Sequence, residues 1–226
     1  MHTHTKENRE LLSPADALQI LKEGNERFSA NLKANRNLLQ QVNETRDGQF
    51  PFATVLSCID SRTSAELIFD QGLGDIFSVR IAGNFVNDDI LGSLEFACHI
   101  AGAKLILVLG HSNCGAIKGA CDKVELGHLT GMLRKLEPAV QAVVQPIDPA
   151  SRTSDNEAFV DAVAAENVRR VVEEIPVRSC VLHELKLAGT IDIVGGLYDV
   201  TSGSVEILPA AMTQPTDQTK RMTGPP

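Results

Sequence analysis

The chain has 226 residues, 43% of them hydrophobic and 22% charged, with a formal net charge of -8. A length of this order builds one well-buried domain, and no linker-like stretch divides it, so a single domain is expected over 1–226. An acidic balance without a Lys/Arg cluster argues against a nucleic-acid surface, because phosphate contacts dominate that affinity, and no apolar run approaches the roughly 20 residues that span a bilayer.

Residues 1–48 read as an N-terminal tail and a helical arm. Positions 1–12 are polar and lack the apolar core of a signal peptide, which predicts a cytoplasmic protein. His2 and His4 belong to this tail rather than to a metal site. Ser13-Pro14-Ala15-Asp16 opens a helix: Ser13 caps it, Pro14 suits its first position, and Asp16 favours the positive end of the dipole. Leu18, Leu21, Phe28 and Leu32 form its apolar stripe. A helix this far ahead of the first strand has no sheet of its own to cover, so packing on a partner subunit is expected.

The core is expected over 49–208. Phe52 to Leu56 reads as the first strand, followed by a short helix around Ala65 to Phe69 and a second strand from Ile76 to Arg80. A helix from about Asp89 to Ala101, capped by Asn87 or Asp88, shows Leu91, Leu94, Cys98 and Ala101 at helical spacing, which makes Cys98 a core residue. Lys104 to Leu109 is the third strand. Leu129 to Val144 is amphipathic, kinked or divided at Pro138. Ser154-Asp155-Asn156-Glu157 is a capping box for a long helix that ends before Pro176. Another helix ends near Gly189, Ile191 to Asp199 is the fourth strand, and Thr201-Ser202-Gly203-Ser204 turns into a short fifth. Residues 209–226 read as an extended tail. Strands alternating with helices predict an α/β fold: a mostly parallel four-stranded sheet, a short antiparallel fifth strand and flanking helices.

Two segments concentrate the chemistry. Ser57-Cys58-Ile59-Asp60-Ser61-Arg62 and His111-Ser112-Asn113-Cys114 each follow a buried strand, which places both at the carboxyl edge of one sheet. Cys58, His111 and Cys114 supply two thiols and an imidazole, the number of protein ligands a catalytic zinc ion takes beside an open position. In an extended segment alternate residues share a side, so Cys58, Asp60 and Arg62 can face one pocket. Cys121, seven positions after Cys114 (121 minus 114), is expected to be a buried thiol rather than a fourth ligand. Five cysteines without framework-like spacing fit a reducing compartment.

The pair Cys58-x-Asp60-Ser61-Arg62 and His111-x-x-Cys114 resembles the zinc signature of the β-class carbonic anhydrases. Gly24-Asn25-Glu26-Arg27-Phe28, Gly74-Asp75-Ile76-Phe77, Arg80-Ile81-Ala82-Gly83-Asn84, Cys114-Gly115-Ala116, Glu166-Asn167-Val168 and Gly195-Gly196-Leu197-Tyr198-Asp199 are similar to further family segments. The resemblance implies one zinc ion held by Cys58, His111 and Cys114, and reversible hydration of carbon dioxide to bicarbonate through a zinc-bound hydroxide, with Asp60 and Arg62 as a catalytic dyad. In some members the residue matching Asp60 swings in as a fourth ligand at lower pH.

The resemblance further implies substrate contacts from the Gln49 side chain and the Gly115 backbone N–H, an apolar wall of Phe77, Ala82 and Phe96, and a homodimer or tetramer. Some bacterial members hold an inhibitory bicarbonate with a tryptophan, an arginine and a tyrosine. Arg80 and Tyr198 resemble the last two, but Val55 stands at the first position, so an open site with Asp60 off the metal is expected at neutral pH. Two other readings use the same residues: a carbon disulfide or carbonyl sulfide hydrolase, and a non-catalytic zinc module closed by Asp60 or Cys121.

Overall fold

A computed structural model describes residues 3–209. Its centre is a five-stranded sheet in the order β2-β1-β3-β4-β5, with β1 at Ala53–Ser57, β2 at Ile76–Arg80, β3 at Leu105–His111, β4 at Asp192–Tyr198 and β5 at Val205–Ile207. The first four strands run parallel and β5 pairs antiparallel with β4. Every residue of β1 and β3 is buried, as continuous apolar runs covered on both faces should be. The fold class expected from the alternation of elements is the one observed.

Two layers of helix cover the sheet. On one face Leu56, Ile106 and Val108 pack with α5 (Asp88–Glu95), α6 (Gly115–Cys121), α8 (Glu137–Ala142), α9 (Glu157–Arg178) and α10 (Cys180–Leu187). On the other, Val55, Leu105, Leu107 and Leu109 pack with α2 (Pro14–Ser29) and α4 (Ala65–Ile68). Short helices α1 (Lys6–Glu10), α3 (Leu38–Glu44) and α7 (Gly127–Leu133) complete the set. No described helix is long and apolar enough to cross a membrane.

Several expectations are corrected by packing. The arm helix α2 begins at the Ser13/Asp16 capping box, yet it covers its own sheet: Ala17 and Leu21 are buried among Phe52, Ile68, Phe69 and Leu105. Full burial of a leucine contributes about 2 kcal/mol, and that stripe needs no partner subunit to be satisfied. Leu32 lies beyond the helix end and is exposed. The polar lead is also ordered: α1 forms there, buried Arg9 donates to the Ala101 carbonyl, and the His4 ring sits 5.1 Å from that of Phe52.

Within the core, α9 runs through Pro176 to Arg178 and is capped by Asn156 rather than by the four-residue box. The segment around Pro138 forms two helices, α7 and α8. The helix after Asn87 changes at Phe96 into a π-helical turn to Ile100, with Cys98 in the core as expected. His2 and the tail after Pro209 lie outside the described residues.

Three contacts show what the Gly24 to Phe28 segment does. A Cβ on Gly24 would stand 1.8 Å from the Phe69 carbonyl oxygen, so only glycine lets α2 approach α4 this closely. Asn25 donates to the carbonyls of Ile68 and Gly203 and accepts from the Val205 amide, tying the arm to β5. Arg27 and Arg36 both bond Asp70 at 2.5 Å. Burial raises the Asp70 pKa, but the bonds from Arg27, the Ala34 amide and Arg36 outweigh it and hold the carboxyl below its usual range.

Candidate metal centre

Strand order reverses at β1: the next strand in sequence, β2, lies on one side and β3 on the other. The loops leaving β1 and β3 therefore flank a crevice at the carboxyl ends of adjacent strands, the position where open α/β sheets bind ligands. Cys58 leaves β1, His111 closes β3, and Cys114 caps α6. Their ligand atoms lie within 4.8 Å of one another and all three residues are buried.

His111 Nδ1 lies 3.0 Å from the Ser112 carbonyl. It is the donor there, which leaves the Nε2 lone pair for a metal. Nε2 is buried and has no hydrogen-bond partner among the described residues, a cost that a ligand removes. Cys114 donates to Cys58, and this bond is the main reason the Cys58 thiol is held well below its ordinary pKa while Cys114 is pushed far above it. Amides of Ala116 and Ile117 at the start of α6 favour a second thiolate at Cys114. Two sulfurs and one imidazole nitrogen are the donor set that zinc favours.

Asp60 and Arg62 stand beside this cluster, joined by two parallel bonds, Arg62 Nε to Oδ1 at 2.9 Å and Nη2 to Oδ2 at 2.8 Å. The Arg62 amide also donates to Oδ1 at 2.9 Å. Those bonds hold the Asp60 carboxyl far below its usual range. Asp60 is not a member of the three-residue ligand group. Arg62 reaches the Asn113 carbonyl at 3.5 Å, which links the two loops.

Other groups fix the loops in place. Arg80 donates from Nε to the Cys58 carbonyl at 3.0 Å and from Nη2 to the Asp60 carbonyl at 2.6 Å. The Thr63 hydroxyl donates to the same two carbonyls. Ser112 Oγ donates to Asp199 and accepts from the Val200 amide, and the Asn113 amide donates to Asp161. The Gly83 amide donates to Cys58 Sγ at 3.4 Å. Sequence reasoning assigned none of these supports, although the Arg80 to Asn84 and Gly195 to Asp199 segments carried the signal.

The remaining sites are scattered. Gly115 is exposed at the first position of α6, where a helix amide lacks an internal partner. Ala82 is half-buried next to Gly83. Gln49 is exposed ahead of β1. Phe77 and Phe96 meet edge to face at 6.2 Å, but the cavity of about 840 Å³ that they line with Arg80 and Gly92 includes none of Cys58, Asp60, Arg62, His111 and Cys114. Cys121 is buried outside the ligand group, and burial pushes its thiol up to about 11. Val55 is fully buried in the core, and Arg80 is committed to backbone carbonyls.

The family model described as Carbonic anhydrase matches residues 53–205. The chain belongs to the carbonic anhydrase family. It is 37% identical over 196 residues to Carbonic anhydrase 2 of Mycobacterium tuberculosis, covering 84% of this chain and 91% of that protein. Against Carbonic anhydrase of Mycolicibacterium smegmatis it is 35% identical over 200 residues, covering 86% and 93%. Among solved structures, the β-carbonic anhydrase CafA of Aspergillus fumigatus superposes with a TM-score of 0.69 at 26% identity, covering 87% of this chain and 91% of that one. These matches place the chain in the β class, and the ligand cluster lies inside the matched segment.

Proposed function

We propose that the protein is a zinc enzyme that catalyses reversible hydration of carbon dioxide to bicarbonate and a proton. The observation that carries this reading is the buried Cys58, His111, Cys114 cluster with an ionised, doubly bonded Asp60 beside it. A zinc ion bound there would supply Lewis acidity and make a water at its open position acidic enough to react near neutral pH.

The chain's own residues do the rest. Asp60 accepts a hydrogen bond from the attacking water and orients it, and Arg62 keeps Asp60 charged and fixed through both oxygens. The Gly115 amide and the Gln49 side chain donate to the oxygens on which negative charge develops. Ala82, Phe77 and Phe96 provide apolar wall for carbon dioxide. Phe96 is 53% exposed and, with Phe77, borders a cavity away from its own ligands, so the pair acts on the site of a second subunit in a homodimer or higher assembly. One catalytic domain, with its metal core at 49–208, acts in the cytoplasm.

Stopped-flow hydration of carbon dioxide on protein of known zinc content tests this. Turnover that rises with pH at about one zinc per chain is expected. Zinc-replete protein without turnover overturns it, and activity on carbon disulfide would then identify a hydrolase of sulfur analogues.

A further inference from the structure

We propose that Asn167 is a positioning residue for the Cys58 sulfur, acting through Gly83. The inference rests on the reading of Cys58 as a zinc ligand.

Ile81 to Asn84 form a turn closed by the Asn84 amide on the Ile81 carbonyl at 2.9 Å. Gly83 has φ +79, the left-handed value that the third residue of a type II turn requires. That geometry aims its N–H at Cys58 Sγ, 3.4 Å away. Glycine adopts either sign of φ freely, so it needs an external hold to keep one orientation.

Asn167 supplies it. Its Nδ2 donates to the Gly83 carbonyl at 2.9 Å in a fully buried bond. The residue is 3% exposed on a face of α9 otherwise made of Val160, Val163, Ala164, Val168 and Val171. A polar amide in such a face costs free energy unless it is bonded, and an apolar residue would pack there without that cost. The bond fixes the carbonyl of a residue whose amide faces the sulfur. N–H donation to a thiolate tunes its charge and directs its lone pairs, the usual role of groups behind metal ligands.

The test uses the full-length protein loaded with zinc or with cobalt, whose sulfur-to-metal charge-transfer band reports on the thiolates. Asn167→Leu keeps the branched shape and the number of heavy atoms and removes the donor. Val171→Ala, on the same buried face, lowers stability without touching the turn. The proposal expects N167L to shift the band to longer wavelength and to weaken zinc binding about tenfold in competition with a chelator, while V171A keeps both at the wild-type value. Should N167L fail to fold, N167A carries the same readouts. An unmoved band and affinity in the Asn167 variant, or equal movement in V171A, overturns the proposal alone. Wild-type protein that takes up neither metal overturns the zinc reading and this proposal with it.

Discussion

Arg62 holds both carboxylate oxygens of Asp60, with Nε on Oδ1 and Nη2 on Oδ2, while its own backbone amide adds a third bond. Such a fork fixes the direction of the carboxylate as well as its charge. Asp60→Asn keeps the shape but replaces one acceptor oxygen with a donor. It is expected to leave zinc content and melting temperature unchanged and to reduce turnover about 10²-fold. Full activity in D60N would remove the dyad from the mechanism.

Cys58→Ser is expected to act differently. It removes one of the two sulfurs in the candidate ligand cluster, so zinc measured after dialysis should fall well below one per chain. Chelation of the wild-type protein should likewise lower its melting temperature, because metal binding to the folded state adds to stability.

Asp70 offers a test of the arm. Replacing it with Asn leaves Arg27 and Arg36 facing a neutral partner, and loss of one member of a buried pair typically costs about 3 kcal/mol. The folded pKa is depressed, so the stabilisation is complete above the unfolded value of about 3.9 and is lost as pH falls through and below it. Urea midpoints of wild type and D70N should therefore differ by a constant amount at neutral and mildly acidic pH, and converge in stronger acid.

Gly24→Ala places a methyl group against the Phe69 carbonyl. Backbone cannot yield as a side-chain tip can, so α2 must move off α4, at a cost of about 3 kcal/mol for overpacking of this kind. For a chain of this size that is a fall of roughly 6–12 °C in melting temperature. An unchanged midpoint would mean that α2 is free to shift.

Phe96→Glu tests the assembly. A carboxylate on this exposed apolar position should shift the protein toward monomer in sedimentation equilibrium and lower turnover per chain, with zinc content unaffected. A monomeric wild type with full activity would contradict the role given to Phe77 and Phe96.

Much of this was legible in the sequence because its signals were local. β2 matches its expected span, β1, β3 and β4 lie within two residues of theirs, and Ser13 and Asn87 cap as their side chains predict. Cys58, His111 and Cys114 meet because both loops leave adjacent strands on the same edge. What was not legible depends on long-range contacts. Arg9 looks like a surface residue until the Ala101 carbonyl is found beside it. Pro176 signals a helix end, yet α9 passes it because tertiary packing of Val171 and Ile175 outweighs the propensity. The unpartnered look of α2 came from counting sequence distance, whereas Leu21 reaches the sheet through its far face.

The two halves of the ligand set also have a consequence for biosynthesis. A chain emerging from its amino terminus presents Cys58 53 residues (111 minus 58), about a quarter of its length, before His111 and Cys114 follow. Until then a lone thiol is open to oxidation or to capture by any thiophilic ion. Pairing of β3 beside β1 ends that exposure, so uptake of the correct ion can serve as a timestamp for completion of the central sheet.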